Sequence, residues 1–345
     1  NTTVDLLATA GTLNPIQVTT TGGSATATFT ASTDPAVVTI TASVPGTSDT
    51  TSVEVICFTL TGLTVNGAVP VADTTPPRYA ARFGHPGEVV TLRAELAPAG
   101  IDPTAVPLTW TGSTADATDK TVSTVARDAA GGTAVQVTAT GHTQTATQDA
   151  QVVVVQVTGL APVSADLYAT ILDGKTHLLT AWTDTPDATT TCTATLTPAM
   201  TGDNDVSAVL NQLLVWYGSG TVDPNDATHC AFPRTEPGKT PVQVLCGASD
   251  ARATLWVIKV TVSMPSAVVP INTDWDWNGN TNTAGDTDLD KMGITAGKED
   301  DLRPLGIWLE PRDVPAGAFA LTSRTLPTGA SRVAFYTTAG KDAAF

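Results

Sequence analysis

One pair of strand-like segments is written three times along this 345-residue chain. Residues 38–63 read VTITASVPGTSDTTSVEVICFTLTGL, and residues 135–160 read VQVTATGHTQTATQDAQVVVVQVTGL. Sliding residue 38 onto residue 135 superposes the two without a gap. Val38, Thr41, Ala42, Val55, Thr61, Gly62 and Leu63 then meet Val135, Thr138, Ala139, Val152, Thr158, Gly159 and Leu160. A shorter copy, VQVLCGASDARATLWVIKVTV, spans 242–262. A period of about 100 residues is the size of a domain and too long for a solenoid unit. The chain therefore predicts a row of similar domains.

Their class follows from residue type. Thr fills fifteen of the first fifty positions, and Thr and Val favour a pleated, half-buried surface over a helix. Gly (28) and Pro (23) punctuate short apolar runs, as turns between many strands require. In VVTLRAEL (89–96), Val90, Leu92, Ala94 and Leu96 alternate onto one face, the period of a strand buried on one side. PLTWTG (107–112), VQVTAT (135–140) and Gln151–Val157 follow. TCTATLTPA (191–199) repeats TLRAELAPA (91–99), and LLVWYG (213–218) repeats PLTWTG. The insertion Met200–Gln212 leads into VSAVLNQLL (206–214), the one stretch suited to a helical turn. We thus divide the chain into 1–63, 64–158, 159–263 and 264–345. The first piece holds only the second half of a module and the last only an opening half, with GAFALTSR and SRVAFYTTAG. A sandwich lacking strands exposes an edge and an apolar face. Two readings stay open: a piece of a longer array, or head-to-tail completion of one chain by another through strand addition.

Net charge is −16 and the pI about 4.4. An acidic surface disfavours nucleic acid and anionic membranes and suits divalent cations. No apolar run approaches the ~18 residues of a membrane span, so membrane insertion is not expected. Asn1 reads as a processed or trimmed start.

The repeat resembles the tandem bacterial immunoglobulin-like (Big-type) domains of surface adhesins, intimin- and invasin-type proteins and extracellular fibres. The residues carrying the likeness are Gly11–Leu13, TATFTA (26–31), Val38–Ala42 and the closing V-x-V strands. It implies all-β, tandem immunoglobulin-like β-sandwich modules, the first and last incomplete, at an extracellular or cell-surface location. Members are mostly spacers and binding modules without catalysis.

Cys192, Trp216 and Cys246 follow the Cys…Trp…Cys order of immunoglobulin domains. The resemblance implies a Cys192–Cys246 disulfide, worth roughly 3–4 kcal/mol in the chain-entropy model. Cys230–Cys246 is the rival pairing, and separately buried thiols the third reading. Cys57 reads as a buried free thiol.

The most chemically pointed segment is 272–290, NTDWDWNGNTNTAGDTDLD. Asp274, Asp276, Asn278 and Asn280 alternate about Gly279, as at the start of a calcium loop. The twelfth position is Gly285 rather than a bidentate Glu, and Asp286, Asp288 and Asp290 would complete the shell. Ca2+ is the expected cofactor, with a solvated Asx-rich linker as the bland alternative. Trp275 and Trp277 would pack on a neighbouring module or form an aromatic glycan platform. His85, His142, His177 and His229 have no zinc spacing and read as exposed loop residues. No nucleophile elbow, Walker loop or dinucleotide motif occurs, so no enzyme activity is expected. The leading function is a structural segment of an extracellular fibre that self-associates into a filament or larger array. The alternative is an adhesin module binding a glycan or a cell-surface protein.

Overall fold

A computed structural model describes residues 1–104, 106–140, 145–263, 306–311 and 313. The fold is all-β, a tandem of immunoglobulin-like sandwiches; the expected last module, 264–345, lies almost wholly outside the described residues. The chain forms two compact units.

The first unit holds Asn1–Thr158 with two later segments, Leu196–Leu214 and Leu245–Asp250. It begins with β1 (Thr3–Ala8), β2 (Thr12–Asn14), β3 (Gln17–Thr19), β4 (Thr28–Thr30), β5 (Ala36–Ser43) and β6 (Thr50–Cys57). These make one sheet in the order β3-β1-β5-β6 and a two-stranded sheet, β2-β4.

A complete sandwich follows, from β7 (Thr59–Asn66), β8 (Val69–Val71), β9 (Arg78–Arg82), β10 (Val89–Ala97), β11 (Leu108–Thr111), β12 (Thr114–Ala115), β13 (Val122–Ala126), β14 (Gly131–Thr140) and β15 (Thr145–Pro162). One sheet runs β12-β13-β10-β7; the other carries β11-β14-β15, with β9 parallel to β15. The alternation read from β10 is real: Val90 and Leu92 are fully buried and meet Val125, Val135, Val152 and Val154. Trp110 packs at the edge of this core, its indole N–H donating to Lys120 O at 2.9 Å.

The 206–214 stretch does turn helical, for one turn, in α1 (Leu210–Leu213). Val206, Val209, Leu210 and Leu213 are buried. Arg78 donates to Asp205 O at 2.5 Å and Arg82 to Gln212 O at 2.6 Å. Charged donors thus meet backbone carbonyls on either side of the turn, and that of Gln212 is one a single helical turn leaves unpaired.

The loop ahead of β13 is held by Asp116, whose carboxylate accepts from the N–H of Asp119 (2.9 Å), the N–H of Thr118 (2.8 Å) and the Thr118 hydroxyl (2.8 Å). These bonds, that from Asp119 first, hold the Asp116 pKa down to about 2 from its ordinary 3.8. The folded value lies below the unfolded one, so this stabilisation is complete above about pH 4 and disappears as pH falls through 2. Asp116→Asn is therefore expected to flatten the acid limb of the stability profile between those values, measured as the urea midpoint against pH.

The second unit comprises Gly159–Thr195, Val215–Val244 and Ala251–Phe345. Its strands are the end of β15, β16 (Leu167–Leu172), β17 (Lys175–Ala181), β18 (Thr189–Thr197), β19 (Val215–Tyr217), β20 (Thr221–Val222), β21 (His229–Pro233), β22 (Gly238–Cys246), β23 (Ser249–Ser263) and β24 (Gly306–Glu310). One sheet runs β16-β17-β23-β22-β19; opposite it, β18, β21 and β20 follow the end of β15. Cys192, Cys230, Phe232, Val242 and Leu255 fill the core, with Trp216 against it. The Trp216 N–H donates to Ala227 O at 2.9 Å, repeating the Trp110 bond. Beyond this core, Lys259–Ser263 of β23 pairs antiparallel with Gly306–Glu310 of β24.

Candidate functional site

The first 57 residues present an apolar face that, among the described residues, no second sheet fully covers. Pairing in the β3-β1-β5-β6 sheet sets Val4, Leu6, Val18, Val38, Ile40, Ala42, Val53 and Val55 on one side, because successive side chains alternate across a strand. The repeat supplies a measure of what that side lacks. In the complete sandwich, Val135, Val137, Ala139, Ala150 and Val152 stand where Val38, Ile40, Ala42, Val53 and Val55 stand here, and none is more than 6% exposed. In the first sheet only Val38 is buried; Val53 is 58% exposed, and Ile40, Ala42 and Val55 are half-buried. The cause is visible in the opposing layer. The complete sandwich covers its face with four strands, β12-β13-β10-β7, whereas among the described residues the first sheet faces β2-β4 alone, joined through Leu13 opposite Phe29. Leu7 and Ile16, 71% and 69% exposed, add further bare apolar surface.

The cysteines depart from expectation. All four are free, so the Cys192–Cys246 bridge is not formed. Cys192 lies opposite Cys230 in the antiparallel register of β18 and β21. The Cys246 thiol donates to Val155 O at 3.2 Å, within the first unit. The strand order read from Cys…Trp…Cys is right, but Cys246 stands too far along β22; Val242 is the β22 residue that packs with Cys192. Burial, with the neighbouring Cys230 thiol, pushes Cys192 up to about 12, and burial pushes Cys230 up to about 11. Thiols held protonated in this way are poor nucleophiles. Cys57 is half-buried.

The histidines also divide. His85 is exposed as expected. His177 is not a loop residue: it lies in β17, 8% exposed, and its Nδ1 accepts the Trp256 indole N–H at 2.9 Å. His229 opens β21, with Nδ1 at 2.7 Å from Asp226 Oδ2. His142 lies outside the described residues.

The proposed metal ligands Asp274, Asp276, Asn278, Asn280, Asp286, Asp288 and Asp290, with Trp275 and Trp277, also lie outside the described residues. Among the described residues, no three His, Cys, Asp or Glu side chains gather as metal ligands would. A shallow cleft of about 610 Å³ on the first unit is lined by Pro76, Thr111, Gln136, Thr147 and Asp149, with Gln136 Nε2 donating to Asp149 at 2.8 Å. No helix among the described residues is long and apolar enough to cross a membrane.

Against protein families and against curated proteins the chain finds no match. Among solved structures it is similar to the C-terminal 282-residue fragment of intimin, in complex with the intimin-binding domain of the translocated intimin receptor. That likeness has a TM-score of 0.30 and 13% identity, over 63% of this chain and 70% of that one. It is also similar to three N-terminal domains of the bacteriophage RB49 highly immunogenic outer capsid protein, with TM-score 0.28 and 13% identity over 74% and 99% of the two chains. Extracellular domains 3–5 of Drosophila OTK give TM-score 0.26 and 9% identity, over 75% and 86%.

Proposed function

We propose that this chain is a load-bearing structural segment of an extracellular or cell-surface fibre built from tandem immunoglobulin-like modules. The supporting observation is a parallel ladder that recurs in each complete sandwich. In the first unit β9 pairs in parallel with β15, from Arg78 opposite Gln151 to Arg82 opposite Val155. In the second, β17 pairs in parallel with β23, from His177 opposite Thr254 to Ala181 opposite Ile258. In each case a strand near the start of the sandwich is bonded to the strand by which the chain leaves it. Tension between the ends of a module then loads all rungs of the ladder together, in shear, rather than one at a time. Single-molecule pulling is the test. Two high-force events are expected, each releasing roughly 300 Å of chain at ~3.5 Å per residue. Unfolding of both sandwiches without a resolvable force peak would remove the reading.

Calcium belongs to the same proposal. Carboxylates crowded between residues 274 and 290 repel one another without a cation, and hard cations take oxygen ligands of this kind. Chelation is expected to lower the melting temperature of the unit that includes this segment and to leave the sandwich of residues 64–158 unchanged. Superimposable calorimetric traces with calcium and with chelator would dismiss the metal.

A second reading, a ligand-binding adhesin module, is favoured by the shallow cleft lined in part by Thr111, Gln136, Thr147 and Asp149. It predicts saturable glycan or protein binding that Gln136→Ala weakens.

A further inference from the structure

We infer that Cys192 and Cys230 are an oxidation site: they close into a disulfide that fastens β18 to β21 and shortens the length of chain the second unit yields under tension. The bond stands on geometry alone; its mechanical role rests on the fibre reading above.

The two cysteines form one rung of a ladder. β18 and β21 pair antiparallel with Cys192 directly opposite Cys230. Both side chains lie in the same core cluster, 0% and 1% exposed. The neighbouring bonds fix the kind of rung. Ala194 N donates to Thr228 O at 2.8 Å, and Arg234 N donates to Ala188 O at 3.0 Å. Directly opposed residues exchange such bonds at every second rung, so the rung of Cys192 and Cys230 is a hydrogen-bonded one. Its Cα atoms lie ~5.5 Å apart, within the span that disulfides bridge. Its Cβ atoms, up to ~5.5 Å apart, are wider than the ~3.5–4.5 Å of a relaxed bridge. The strands must therefore draw together by about 1 Å, and a bond closed under that tension yields readily to a reductant that reaches it. The other two sulfurs belong to the first unit: Cys57 ends β6, and Cys246 donates to Val155 O.

Both cysteines are thiols in this structure. Closure takes two electrons and two protons from the pair and needs an oxidant, here a small-molecule disulfide such as oxidised glutathione. One cysteine thiolate attacks a sulfur of that disulfide, its S–S bond breaks, and one glutathione thiolate leaves. The second cysteine thiolate attacks the protein sulfur of the mixed disulfide and expels the other glutathione. The two protons given up by Cys192 and Cys230 end on the two glutathione thiols released. In the folded unit burial holds both protein thiols protonated, and such thiols are poor nucleophiles. The exchange therefore belongs to folding, before β18 and β21 are sealed in the core, and the finished core then keeps reductants out as well. Residues 193–229 lie in sequence between the two strands of the parallel ladder, β17 and β23. A closed bond withholds that stretch when the unit unravels, ~130 Å at ~3.5 Å per residue.

The test refolds the full chain from urea in a glutathione redox buffer and alkylates the remaining thiols under denaturing conditions. Peptide mapping should find a disulfide between Cys192 and Cys230, with Cys57 and Cys246 alkylated. In single-molecule pulling, one of the two high-force events should shorten to roughly 170 Å, and dithiothreitol added to the unravelled chain under tension should release the remaining ~130 Å in one step. Chain folded in reductant throughout should give the full length of roughly 300 Å in both events. Cys246→Ala should leave the short event unchanged, and Cys230→Ala should lengthen it. Recovery of Cys192 and Cys230 as alkylated thiols, their bonding to Cys57 or Cys246 instead, or events of equal length in oxidised and reduced chain would each overturn the inference. A mapped bond between Cys192 and Cys230 in a chain that unfolds without a force peak upholds the bond and removes the fibre reading.

Discussion

Phe232→Ala lowers the stability of the second unit by about 3–5 kcal/mol, the range for deleting a buried aromatic side chain. Phe232 is 1% exposed and packs in one cluster with Cys192, Cys230, Val242 and Leu255. Its surroundings are shaped for a ring. A Cβ built on Gly220 would stand 2.6 Å from the ring and 2.5 Å from the Cys230 sulfur. The backbone approaches so closely only because that residue is glycine. Neighbours held in place by β18, β21 and β22 cannot collapse into the space a ring leaves, so the cavity cost adds to the lost transfer energy. Small domains have about 5–15 kcal/mol in all, and a loss of this size leaves the unit marginal. Denaturant unfolding followed by tryptophan fluorescence reads it directly, since Trp216 borders the same cluster. Phe232→Leu, which keeps most of the volume, should cost much less. Equal values for the two variants would mean that the ring is not the filler described here.

Ala80→Pro is expected to abolish the mechanical resistance of the first complete sandwich and to cost its fold at least about 1–3 kcal/mol, the range for leaving a buried hydrogen-bond partner unsatisfied. Ala80 is the middle rung of the parallel ladder, opposite Val153, and it also faces Val69 of β8. It is fully buried. Proline removes its backbone N–H and sets a ring where only a methyl group fits, and a central strand tolerates neither. In pulling experiments one of the two high-force events should vanish, and the event of the second unit, whose ladder runs from His177 to Ala181, should persist. Retention of both events would show that the β9–β15 ladder does not carry the load.

Much of this protein was legible in its amino-acid order. Val90 with Leu92 read as an inward-facing pair and is a buried pair. The incompleteness of residues 1–63 followed from laying them on the repeat, and with it the expectation of a bare face. The helical turn after Val206 was marked by its pattern. The bonding of His177 to Trp256 was not, because an isolated histidine in a strand carries no local sign of what lies beside it. The same holds for Asp116, whose turn bonds rest on residues close in sequence but whose depressed pKa depends on loop geometry.

Alternation with a period of two is a property of the backbone, so sequence alone marked which side chains of strands such as β10 point inward, and the repeat marked that similar sandwiches follow one another. Which inward residue meets which across the core depends on strand register and stagger between sheets, and only tertiary packing sets those. Cys192 therefore faced inward as expected, yet it met Cys230 and Val242 rather than Cys246.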